Sequence, residues 1–352
     1  MTGARSTDTL DDLLQRAISP GVGCGAVLLT AVDGAFVSDY ALGTTRRYDN
    51  VGIPTTLPGT PVTRDTVFDL ASVTKPLVAA TLLTELAERG YGPELPVAEV
   101  LPEFRTPDTH ALTVGHLLTH TSGFTPTWPD RRPDPGGRRF RAAARPSRAP
   151  MLQHEYSCLN FIWAGYLAEA LAAAPLPALV TQRVLDPLGM RNTGYLPAPE
   201  RWPSIAATEY QPGRGMVQGE VHDETAFALG GAVGNAGVFG TAPDLMRFAE
   251  AIRTGVGLRP QVHGWLTEPV PLPAGAAYAH TYGLRSAEAW CAATPRTAVS
   301  HTGFTGTAFL TEPGGSFSLV LFTNRVHPTR TQTALPTMRA SIVAAAVSSA
   351  GV

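Results

Sequence analysis

The sequence predicts an α/β protein in which one sheet is assembled from both ends of the chain, with a mainly helical lobe inserted between them. Three observations carry this. Apolar, β-rich runs (VGCGAVLLTAV and AFVSDYALGT) lie near the start, a second group (TAVSHTGFTGTAFL and SFSLVLFTN) lies near the end, and helical patterns dominate the middle. The expected partition is 1–70 with 295–352 for the α/β lobe, and 71–294 for the helical lobe. A chain of 352 residues has ample material for two such lobes.

In chain order, TLDDLLQRAI opens an amphipathic helix. Asp33-Gly34 between the first two strand runs is a strong hairpin signal. A polar Gly/Pro/Thr stretch follows from about 43 to 66. From Ser72 the pattern turns helical, placing Val78, Leu82, Leu83 and Leu86 on one face with Gly90 as a stop, so a helix is expected over 72–89. LTVGHLLTHTSG and FIWAGYLAEALAAA read as further helices. Thr241 and Asp244 suggest a capping box with Pro243 in the first turn. An alanine-rich helix closes the chain.

The segment 125–150 stands apart, with seven arginines and several prolines in TPTWPDRRPDPGGRRFRAAARPSRAP. It reads either as a solvated, mobile loop or as a lid whose arginines meet an anionic substrate or carrier.

Composition excludes some classes. A formal net charge of −2 argues against a nucleic-acid partner. Cys24, Cys158 and Cys291 are far apart and odd in number, which supports neither a disulfide framework nor a zinc ribbon. The first residues lack the basic start and apolar core of a secretory leader, and no apolar run reaches membrane-spanning length. The expectation is a soluble cytoplasmic protein with reduced thiols, no membrane partner and no cofactor.

The chemistry is read from FDLASVTKPLVAA, which contains Lys75, the one lysine among 27 basic residues. Codon bias explains arginine wherever the two are interchangeable; a retained lysine marks a place where they are not. Arginine stays charged, whereas a buried lysine can lose its proton and act as a base. Ser72 and Lys75 are spaced i, i+3, which stacks amine against hydroxyl on one helix face. Pro76 suits a first turn. Such a pair makes a weak nucleophile strong, and the N–H groups at a helix start can stabilise an oxyanion.

That S-x-x-K is followed by LTVGHLLTHTSGF, HEYSCLNFIWAG, VLDPLGMRNTGY, LGGAVGNAGVFG and SHTGFTGTAFL. The succession resembles the serine β-lactamase and penicillin-binding-protein superfamily over nearly the whole chain. It is most similar to the class C β-lactamase-like branch, which includes carboxylesterases, D-aminopeptidases and acyltransferases. The resemblance implies an antiparallel sheet flanked by helices. It also implies Ser72 as nucleophile, Lys75 as its proton acceptor, and Tyr156 as a partner that protonates the leaving group. Backbone N–H groups of Ser72 and Phe304 would form the oxyanion hole. His301-Thr302-Gly303 takes the K-T-G position, and together with Cys158 would contact substrate.

Two departures narrow the activity. Cys158 stands where the family has asparagine or aspartate, and reads as a small buried residue. His301 replaces a lysine whose permanent charge would meet a substrate carboxylate, whereas a histidine can be neutral near pH 7. Both point away from β-lactams. The expectation is a serine hydrolase of the carboxylesterase type acting on a small-molecule ester or amide. The alternatives are a transacylase moving the acyl group to an amine or alcohol, and a non-catalytic ligand-binding relative.

Other signals read as structural. His116 and His120 have zinc-pair spacing, but Leu117 occupies the place of the glutamate that a metalloprotease needs, so no metal is expected. Val221-His222-Asp223 reads as a loop-anchoring cluster bordering the pocket. The glycines of LGGAVGNAGVFG are expected to let backbone pass close to the cleft, and Ser122 reads as a turn residue.

Overall fold

The computed structural model describes residues 8–56, 59–332 and 334–352. Among these, seven strands form one antiparallel sheet in the order Ala279–His280, Arg285–Ser286, Val299–Thr302, Ala308–Thr311, Phe317–Thr323, Gly25–Val32, Ala35–Gly43. The two chain ends meet inside it, one strand in from the edge, where Ala26–Val32 pairs with Phe317–Thr323. The first hairpin closes at Asp33-Gly34, both with positive φ (51° and 82°), the geometry of a tight primed turn.

Period-two alternation explains why the central strands are apolar throughout. Val27, Leu29, Phe309, Val320 and Phe322 face the large core shared with the helical region. Leu28, Leu310, Leu319 and Leu321 face a second core, closed by the helices Leu10–Ala17 and Ala334–Ala350. A sheet covered on both faces needs apolar residues on both. The first helix begins with a reciprocal capping box between Thr9 and Asp12.

Ala279–His280 and Arg285–Ser286 extend the sheet from within the span 71–294, which the sequence assigned to the helical lobe. Strands of two residues show no alternation, so pattern reading passes over them. TAVSHTGFTGTAFL divides into two antiparallel strands around 303–307. A capping box at 241–244 does not form. Thr241 accepts the Asp244 N–H, but the Asp244 carboxylate turns outward to the Asn192 N–H and the Thr193 hydroxyl.

Segment 125–150 contains a short helix, Arg138–Ala143. Phe140 is buried 5.4 Å from the Trp163 ring and anchors it. Arg132 and Arg139 pair with Asp130, Arg141 with Glu103, and Arg148 with Glu155. Most of the segment's charge is thus answered by neighbouring carboxylates. Among the described residues, no single helix is long and apolar enough to cross a membrane.

Candidate active site

Ser72 lies in a single 3₁₀ turn, Ala71–Val73, that runs directly into the helix Thr74–Glu88. Three separate segments hold this turn. The Asp69 carboxylate accepts the N–H of Ala71 at 2.8 Å and that of His222 at 2.7 Å. Thr305 and Thr307 donate hydroxyl protons to the carbonyls of Asp69 and Leu70. Thr74 Oγ1 accepts the Val238 N–H. The clamp maintains a left-handed Ala71 (φ 47°), a conformation that costs a non-glycine residue energy and that turns the next residue sharply.

One turn on, Lys75 is fully buried. Its Nζ donates to Ser72 Oγ at 2.9 Å and to the Asn235 carbonyl at 2.9 Å, and lies 3.8 Å from Cys158 Sγ. It also sits 5.1 Å from the centre of the Tyr156 ring. Burial draws this amine toward its neutral form. The charges of Cys158 and Tyr156, when ionised, draw it harder the other way, so the net direction is upward. The balance favours the charged amine, where the sequence reading expected one able to be neutral. Burial pushes the Cys158 thiol up, and the Lys75 charge pulls against it. Cys158 is half-buried on the pocket lining, more open than the buried position expected from sequence, and its raised thiol is the less reactive form.

Ser72, Tyr156, Cys158, Asp223 and Phe304 line a pocket of about 260 Å³, with Thr127 and Arg131 of the arginine-rich segment on its wall. A larger depression of about 490 Å³, bordered by Arg46, Trp202 and Arg214, contains no nucleophile–base pair. Ser72 stands in the first turn of its helix, where N–H groups lack intrahelical acceptors. Phe304 follows the strand Val299–Thr302, and its N–H finds no acceptor among the described residues.

His301 departs from expectation. It is 1% exposed, its Nδ1–H donates to the Thr302 carbonyl, and it stands behind the pocket wall, not on it. Burial, followed by the charges of Arg285 and Lys75, pushes it well below the usual imidazole range, so it is neutral. Thr302 is half-buried and Gly303 is buried, and neither lines the pocket. A Cβ on Gly303 would come within 2.5 Å of the Leu70 carbonyl, so the glycine lets this strand end approach the Ser72 turn.

His116 belongs to a capping box with Thr113, and His120 accepts the Ser157 N–H on Nδ1. Among the described residues no cluster of three metal-ligating side chains occurs. His222 bridges Asp69 and Glu209, and Asp223 caps the helix Glu224–Ala228 at the pocket's edge, as the loop-anchoring reading expected. Sequence reading missed Asn235 and Arg285. Asn235 sits among the glycines that bring backbone to the cleft, and its carbonyl is an anchor for Lys75 that no side-chain motif announces.

The Beta-lactamase family model matches residues 14–344. The chain belongs to the Beta-lactamase family. Esterase EstB of Burkholderia gladioli is 31% identical over 72% of this chain and 71% of its own. Two solved structures share the fold. EstCE1, "a hydrolase with promiscuous acyltransferase activity", has a TM-score of 0.71 at 22% identity, covering 95% of this chain and 97% of its own. A class C β-lactamase from Rhodobacter sphaeroides has a TM-score of 0.71 at 19% identity, with the same coverage of 95% and 97%. This member of the Beta-lactamase family thus has the expected α/β architecture and stands among β-lactamase-like serine hydrolases.

Proposed function

We propose that this protein forms an acyl-enzyme on Ser72 and hydrolyses an ester (or amide) of a small molecule, as a carboxylesterase does. The observation that carries the reading is the 2.9 Å contact of Lys75 Nζ with Ser72 Oγ, beside a pocket that also exposes Tyr156. Ser72 Oγ attacks the carbonyl carbon, and its proton passes into the Lys75–Tyr156 pair. The oxyanion rests on the N–H groups of Ser72 and Phe304. Collapse expels the alkoxide, which takes its proton from Tyr156. Water then attacks by the same route, giving its proton to the pair; the acyl–Oγ bond breaks, Ser72 Oγ takes that proton back, and the acid leaves.

Neutral His301 behind the wall and a thiol at Cys158 offer little to the carboxylate and amide of a β-lactam. EstB, by its name an esterase, supports the ester preference. Transfer to an amine or alcohol is the second reading, supported by the acyltransferase activity named for EstCE1. Product partition from an activated ester, with and without added amines, separates the two.

A fluorophosphonate probe with mass spectrometry tests the reading. The expected result is one adduct on Ser72, absent in Ser72→Ala and slowed in Lys75→Arg, whose guanidinium cannot accept the proton. A folded wild-type protein without an adduct on Ser72 would overturn the proposal.

A further inference from the structure

Arg285 occupies an unusual place for a cation. It is 9% exposed, on the strand next to the sheet edge and in register with Ser300, one residue before His301. Its guanidinium carbon lies 4.6 Å from the centre of the Tyr156 ring and 5.0 Å from that of Tyr278. Nη1 donates to Glu288 Oε1 at 3.2 Å and reaches Thr302 Oγ1 at 3.5 Å, while Nε is buried without an acceptor. Glu288 is itself occupied, accepting from Trp290 Nε1 and Ser300 Oγ. Arg285 does not line the Ser72 pocket, so a substrate there touches Tyr156 and not Arg285.

From these contacts we infer that Arg285 is the positioning residue of the site: a fixed cation that holds the Tyr156 ring and steadies the negative charge that develops on its oxygen as Tyr156 gives its proton to the leaving group. The need for one follows from the motif itself. The third motif begins with His301, which is neutral, so strand Val299–Thr302 brings no permanent charge of its own to the site. Arg285 brings that charge from the adjacent strand, with one nitrogen on Thr302 of the motif and its face against Tyr156. A guanidinium never deprotonates, so this charge is constant while the proton moves. A desolvated cation over an aromatic ring is also among the stronger contacts of its kind. The inference rests on the acyl-enzyme reading above, and on Tyr156 taking part in it.

The test is a double-mutant cycle on purified protein, with an activated chromogenic ester as substrate. Arg285→Gln is expected to lower kcat about 10- to 30-fold, the loss of a fixed opposite charge beside the phenol oxygen, with little change in KM. Arg285→Lys, which keeps the charge, is expected to recover most of that loss. In the Tyr156→Phe background, with no phenol oxygen to stabilise, Arg285→Gln is expected to cost less than about threefold. Equal losses in both backgrounds, or a Lys variant as slow as the Gln variant with the same melting temperature, would overturn the inference. Wild-type protein that fluorophosphonate leaves unlabelled at Ser72 would instead remove the acyl-enzyme reading, so the two failures are distinct.

Discussion

Replacing Lys75 by methionine should separate activity from stability. The amine is fully buried, with hydrogen bonds to Ser72 Oγ and the Asn235 carbonyl, a longer one to Cys158 Sγ, and no carboxylate in contact. Its removal leaves the Asn235 carbonyl without a charged donor, a loss of about 1.5–3 kcal/mol. Ser72 Oγ borders the pocket and can bond water instead. Against this, an ion taken out of water carries a penalty of several kcal/mol, which methionine, similar in length and apolar, does not incur. The balance runs from neutral to about 2 kcal/mol in favour of Lys75→Met. With an unfolding entropy of about 2.1 cal/mol/K per residue, 1 kcal/mol corresponds to about 1.4 °C in a chain of this size. The melting temperature should therefore hold or rise by up to about 3 °C. Without a proton acceptor beside Ser72, kcat/KM should fall by about 10²- to 10⁴-fold. Scanning fluorimetry and ester hydrolysis measure the two effects. A folded variant within about tenfold of wild-type activity would refute the role given to Lys75. A drop in Tm of more than about 5 °C would show that its hydrogen bonds outweigh its burial.

Acid should destabilise the protein. Burial pulls His280 to about 3 and His327 to about 4, below the value of about 6.5 expected for an unfolded chain. Below pH 6.5 or so the unfolded chain therefore binds protons that the fold refuses, so stability is full above that pH and falls as pH drops toward the folded values. Glu209 adds to this: burial raises its pKa, but His222 and Arg330 bring it down to about 2, so its contribution disappears between the ordinary carboxylate range and that value. Urea midpoints measured from pH 7 to pH 4 should decline steadily, and a flat profile would contradict the assignment. Gly303→Ala would place a Cβ 2.1 Å from Thr307 Oγ1 and 2.5 Å from the Leu70 carbonyl. It should cost about 1–3 kcal/mol in urea unfolding and slow labelling of Ser72, because the same contact positions the nucleophile's turn. A cost below about 0.5 kcal/mol would show the strand end to be freer than its contacts imply.

Much of the fold was legible in the sequence because its causes are local. The Asp33-Gly34 turn closes the first hairpin where the dipeptide stands. The helix expected over 72–89 begins as a 3₁₀ turn at Ala71 and ends at Glu88, with left-handed Gly90 just beyond. The two-residue strands at one end of the sheet were not legible, because pairing with a neighbour defines them and no pattern of their own does. The Asp244 carboxylate was misplaced for a similar reason: two donors 51 and 52 residues away compete for it and win over the local cap.

The site divides along the same line. Ser72 and Lys75 meet because i and i+3 share a helix face, a matter of covalent geometry that any reader of the sequence can apply. Which proton state Lys75 favours, what anchors it and what stands behind Tyr156 depend on groups that reach it from far along the chain. Cys158 is 83 residues away and the Asn235 carbonyl is 160 away. Arg285 reaches the Tyr156 ring from a neighbouring strand, and burial pushes His301 well below the usual imidazole range. Desolvation and the distance between charges are properties of packing, so they exist only once the sheet and helices have closed around the helix of Lys75.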